Sequence, residues 1–110
     1  MQLVRHPFVE RDLIGIVDHI VSITEGDYTA AYRRLDEDDA LLASVLANPT
    51  SGVRLREQFD SWLVRHGGAG KRLTVVFKPD LENKCVYVAM VAFGRRDWMK
   101  SAIGRRGFSD

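Results

Sequence analysis

The sequence has little sulfur chemistry. Cys85 is the one cysteine in 110 residues. No internal disulfide can form, which suits a reducing cytoplasm. His6, His19 and His66 are scattered and show no ligand spacing with Cys85, so no metal site is expected. No apolar run approaches the roughly 18 residues of a membrane span. Glu10 and Arg11 interrupt the N-terminus before any long apolar segment, so no secretory signal is visible. The Gly-rich stretch His66-Gly67-Gly68-Ala69-Gly70 is not followed by a Lys-Ser or Lys-Thr pair opening a helix. It is expected to be a turn and not a phosphate loop, and no cofactor is expected.

Net charge is also small, at +1, but unevenly placed. Residues 1–50 hold four arginines and nine acids; residues 51–110 hold twelve Lys or Arg and six acids. The halves therefore carry −5 and +6. That split suggests an anionic partner for the second half, or attraction between the two halves. The acidic run Asp36-Glu37-Asp38-Asp39 contains no glycine bend to converge oxygen ligands, and a solvated face or helix irregularity is expected there.

The chain is short enough for one domain, residues 1–110, and 45% apolar residues can fill one modest core. Met1 to Arg5 is expected to form a strand. Val9, Leu13, Ile16, Val17, Ile20 and Val21 recur at helical spacing after Pro7, predicting a first helix over Pro7 to Glu25, stopped by Gly26. Asp27 is placed to cap a second helix, ended by Pro49 and Gly52. Ser61 to His66 is expected to be a strand, with Trp62 and Val64 on one side and Leu63 and Arg65 on the other.

The strongest strand signal is Lys71 to Phe93. Two runs rich in Val, Phe and Tyr flank Pro79-Asp80-Leu81-Glu82-Asn83, which predicts a hairpin. In the first run Leu73, Val75 and Phe77 share a face that should meet the helices. Arg72, Thr74, Val76 and Lys78 share the other, placing two cations on an open face. Residues 100–110, with Gly104 and Gly107, are expected to be a flexible tail or short helix. The fold class is α+β: an antiparallel sheet with two N-terminal helices on one face, in the order β-α-α-β-β-β.

In this order of elements, and in several stretches along it, the chain resembles the RelE/ParE superfamily of bacterial type II toxins. His-Pro-x-x-x-x-Asp-Leu-x-x-Ile-Val-Asp-x-Ile at 6–20 resembles the family's first helix. Leu46-Ala47-Asn48-Pro49-x-x-Gly52 resembles its link. Arg72-Leu-Thr-Val-Val-Phe and Gly94-Arg95-Arg96-Asp97-Trp98 resemble its last strands and basic ending. The resemblance implies a toxin, neutralised in a hetero-oligomer by a cognate antitoxin. One branch of the family poisons DNA gyrase by binding; another cuts mRNA on the ribosome.

The ending Arg-Arg-Asp-Trp looks closer to the gyrase-binding branch. It makes Arg95, Arg96, Trp98 and Arg72 the candidate target-binding residues. The ribonuclease alternative would use Arg72, Lys78, Arg95 and Arg96 on the phosphate, with His66 as base. At Trp98 many of the nucleases have a tyrosine, and an indole cannot transfer a proton as a phenol can. Met90 and Phe93 stand where members often carry arginine and histidine, which leaves a degenerate, non-toxic member as a third reading. For Arg95 and Arg96 the plain alternative is pairing with nearby acids; for His66, a loop residue; for Cys85, a buried thiol; for Trp62 and Trp98, packing.

Overall fold

The computed structural model describes residues 1–55, 61–94, 98, 102, 104 and 105. The α+β class holds, and the element order matches β-α-α-β-β-β with one short strand added after the helices. Strand β1 (Gln2–Arg5) leads into α1 (Val9–Ile23) and α2 (Tyr28–Ala47). A two-residue strand β2 (Val53–Arg54), then β3 (Leu63–Gly67), β4 (Leu73–Asp80) and β5 (Cys85–Phe93) follow. Pro7 lies just before α1 and not within its first turn. Asp27 caps α2 as its position suggests, its carboxylate accepting from the Ala30 N–H at 3.0 Å. The helix runs unbroken through the acidic stretch Asp36–Asp39.

The five strands lie in the order β1-β5-β4-β3-β2. Strands β2 to β5 pair antiparallel, but β1 pairs parallel to β5, from Gln2 opposite Cys85 to Arg5 opposite Val88. The sheet is therefore mixed, not wholly antiparallel as expected. Consecutive strands pair where a short turn joins them. β1 is separated from the other strands by two helices, and such a crossover allows a parallel return. The β4–β5 turn is tied by Asp80, whose carboxylate accepts from the Asn83 backbone N–H at 3.1 Å and from its side-chain amide at 2.8 Å.

Alternation along the strands sorts the core into two layers. Leu63, Leu73, Val75, Phe77, Val86, Val88 and Val91 pack with Val9, Ile16 and Ile20 of α1 and Ala31, Leu41, Leu42 and Val45 of α2. This is the helix-facing set that the Leu73-Val75-Phe77 alternation predicts. The opposite face is not open. Trp62, Val64, Val76, Ala89, Met90, Ala92 and Ala102 form a second buried cluster, with Leu55, Tyr87 and Trp98 against it.

The loose tail expected over 100–110 is anchored at two described positions. Ala102 is buried, and Arg105 grips α1. The reason is apolar area: a sheet face bearing Val64, Val76 and Met90 lowers its free energy when a C-terminal segment covers it. No helix among the described residues is long and apolar enough to cross a membrane.

Candidate functional site

Strand geometry places the candidate residues of β3 and β4 on the face away from the helices. Thr74, Val76 and Lys78 of β4 alternate toward it; Arg72 precedes the strand in a helical conformation (φ −82°, ψ −16°), outside the alternation expected for it. In β3, His66 opposes Thr74 in register and its Nδ1 lies 2.9 Å from the Thr74 Oγ1. Thr74 is buried while His66 is exposed. Arg72 is exposed just before β4, and its side chain lies over Gly70. The Arg72 carbonyl accepts from the Gly94 N–H at 2.9 Å. Gly94 has φ 79°, a left-handed conformation suited to glycine. Arg95 and Arg96, which follow Gly94 in the chain, lie outside the described residues. One end of the sheet therefore joins His66, Thr74 and Arg72 to the start of the basic ending.

Lys78 is elsewhere. The strand is extended from Leu73 to Lys78, at roughly 3.3 Å per residue, so the backbones of Arg72 and Lys78 are separated by more than about 15 Å. The Lys78 Nζ sits 6.0 Å from the Trp62 ring centroid, a cation–π contact at the far end of the face. Val76 and Met90, buried in the second cluster, lie between the two cations. The set Arg72, Lys78 and His66 does not converge on one phosphate-sized point.

Trp98 packs half-buried against the second cluster, as the packing reading of its indole has it. Trp62 is buried in that cluster, and Cys85 is a buried free thiol.

Arg65 and His66, adjacent in sequence, face opposite ways. Arg65 turns to the helix side, donating to the carbonyls of Asn48 (2.6 Å) and Ser51 and to the Ser44 hydroxyl (3.1 Å). A guanidinium thus binds the C-terminal end of α2, where unpaired carbonyls concentrate negative charge. Burial lowers its pKa from the usual arginine value. Its role is structural.

Three features were not singled out from sequence. The first is a bidentate ion pair: Arg105 Nη1 and Nη2 lie 2.5 and 2.8 Å from the two Asp12 oxygens. Asp12 Oδ2 also accepts from the Val91 N–H at 3.2 Å, and Arg105 donates to the Ala89 carbonyl at 3.1 Å. The second is Asp38, 2% exposed on α2, whose Oδ1 has no hydrogen-bond partner. Burial, reinforced by Asp39 and opposed by Arg5, pushes its carboxyl up to about 6. The third is a groove of about 360 Å³ lined by Gly15, Ile16 and His19 of α1 and by residues 91–94. Asp12 was one position of the motif at 6–20 and Asp38 one of the acidic run, expected to be a solvated face or helix irregularity; the setting of each depends on contacts between distant segments.

No family model matches the chain, and no curated protein matches it.

Proposed function

We propose that this chain is a toxin of the RelE/ParE type, which stops growth by binding DNA gyrase and is neutralised by an antitoxin protein in the cytoplasm. The reading rests on the sequence resemblance and on the basic character of residues 51–110. The observation that carries binding over cleavage is the separation of Arg72 from Lys78 by a buried apolar cluster. Ribonuclease chemistry needs cations and a base gathered within hydrogen-bond reach of one phosphate. The exposed end with Arg72 and His66, continued in sequence by Arg95 and Arg96, instead offers a cationic contact for an acidic protein surface or nucleic-acid backbone.

One arrangement favours ribosome-dependent mRNA cleavage as the second reading. His66 and Arg72 are both exposed at that end of the sheet, where an imidazole can serve as base and a guanidinium as phosphate holder. The test is to induce the chain alone in bacteria and pulse-label DNA and protein synthesis in the same culture. Gyrase binding predicts that DNA synthesis falls first, and that Arg95→Ala with Arg96→Ala relieves the arrest. If protein synthesis falls first and His66→Ala restores it, the ribonuclease reading replaces the binding one. Undiminished growth with both syntheses intact leaves neither activity and indicates a degenerate member.

A further inference from the structure

Thr74 is a hydroxyl set into an apolar layer. Strand register puts it opposite His66 of β3 on one side and Ala92 of β5 on the other. On the same face, Val76 comes next along β4 and Val64 next along β3. Val64, Val76 and Ala92 are buried and offer no side-chain acceptor. Thr74 itself is 3% exposed. Among the described residues its Oγ1 meets one polar atom, the His66 Nδ1 at 2.9 Å.

A neutral imidazole carries its proton on one nitrogen and a lone pair on the other. With the proton on Nδ1, the ring would donate to Thr74, and the threonine O–H would stay buried without an acceptor. With Nδ1 bare, the hydroxyl donates to it, and the buried proton is paired. An unpaired buried donor is costly, whereas the two tautomers of a free ring differ little, so the second arrangement wins.

The consequence lies at the other nitrogen. His66 is exposed, and no described residue bonds its Nε2. The two nitrogens sit on different sides of the ring, so Nε2 is turned away from Thr74. The end of β3 that carries the ring is held in place by α2. An added Cβ would stand 2.8 Å from a Leu41 methyl carbon at Gly67, and 2.7 Å from a Glu37 carboxylate oxygen at Gly68. Both glycines therefore allow a close approach of strand to helix.

We propose that Thr74 is a positioning residue that holds neutral His66 as the Nε2–H tautomer. His66 then meets a ligand as a fixed hydrogen-bond donor to an oxygen acceptor, and not as a base. This role is independent of the target. Under ribosome-dependent cleavage it removes His66 as the base and leaves it to hold an oxygen of the RNA. Under gyrase binding it adds a directed donor to an end of the sheet that also exposes Arg72.

The test follows the imidazole nitrogens of the 15N-labelled full chain by long-range 1H–15N NMR, at about pH 8.5, where an unperturbed imidazole is neutral. The expected spectrum shows a protonated Nε2 and a bare Nδ1 at His66, in about tenfold or greater excess over the other tautomer. Exposed His19, which has no hydrogen bond among the described residues, is the reference for an unconstrained ring. Thr74→Val keeps the shape and removes the hydroxyl, and should bring the ratio at His66 to that at His19. Thr74→Ser should retain the excess. Diethyl pyrocarbonate attacks a bare imidazole nitrogen, so it should modify His66 severalfold more slowly than His19, and Thr74→Val should narrow that gap. A proton found on Nδ1 in the parent overturns the proposal, whether or not the variants fold. So does a tautomer ratio that a folded Thr74→Val leaves unchanged.

Discussion

Asp12 and Asp38 lie on neighbouring helices, and both are withdrawn from water, but their surroundings are opposite. Asp12 meets a guanidinium fork on both oxygens and a backbone N–H besides. Asp38 is more deeply buried, yet one of its oxygens has no partner, and the carboxyl is pushed up to about 6. A buried carboxylate is compatible with folding when hydrogen bonds and an opposite charge replace its lost water. Asp12 meets that condition and joins three segments: α1, the β5 strand at Val91, and Arg105 in the last ten residues of the chain. Asp38 does not, and it stands as a cost within α2.

The largest expected effect comes from breaking the satisfied site. Asp12→Ala leaves the Arg105 charge and the Val91 N–H without their partner, and should lower unfolding free energy by about 3–5 kcal/mol. Urea denaturation measures it, and faster hydrogen exchange at the Val91 amide should accompany it. A loss below about 1 kcal/mol would mean that the ion pair contributes no more than an exposed one.

Asp38→Asn should act in the opposite direction, stabilising by roughly 1–3 kcal/mol at pH 7.5. The sign follows from linkage. An unfolded aspartate titrates near 3.9, and the folded one near 6. Between these values the folded chain holds the extra proton, so the stability contributed by the protonated form is full below about pH 4 and is lost as pH rises to about 6. The variant's advantage should therefore disappear near pH 4 and level off above pH 6. His6 works against this trend in both proteins. Its pKa is lowered by burial first and by Arg105 second, which adds stability with rising pH. The comparison at each pH is thus between variant and parent. Equal thermal midpoints for the two at pH 7.5 would refute the cost assigned to Asp38.

Two further carboxylates complete the series. Asp27→Ala removes the cap bond to the Ala30 N–H and should cost about 1 kcal/mol, read as a lower melting temperature. Glu37→Gln breaks the pair with Arg34, in which the charged nitrogen lies 2.7 and 2.8 Å from the two carboxylate oxygens and both side chains are about one-fifth exposed. It should cost only about 0.2–1 kcal/mol, and less in high salt. If Glu37 proved as important as Asp12, burial would not be what ranks these four residues.

The elements themselves were legible. Helical spacing from Val9 to Val21, the Asp27 cap and the Leu73-Val75-Phe77 alternation are local signals, and each corresponds to the element found. The candidate site was legible only in part. Alternation put Thr74, Val76 and Lys78 on one face, but Arg72 precedes the strand with helical backbone, and no local pattern showed that Trp98 and Ala102 pack on that face. His66 gained a buried hydroxyl partner eight residues away, through strand register. The acidic run was expected to be a solvated face or a helix irregularity, yet α2 is regular there and its rotation turns Asp38 inward while Asp36 and Asp39 stay exposed.

By itself the sequence determined the α+β class, the element order, the two faces of the hairpin strand and the uneven distribution of charge. These depend on periodicity, turn chemistry and composition, which act over a few residues at a time. Tertiary structure alone decided the parallel return of β1, the covered second face and the bridging of Asp12 to Arg105. Each joins segments distant in sequence. The Asp12–Arg105 contact spans 93 positions. Such contacts are selected by the area they bury and the polar groups they satisfy together, which no local pattern encodes.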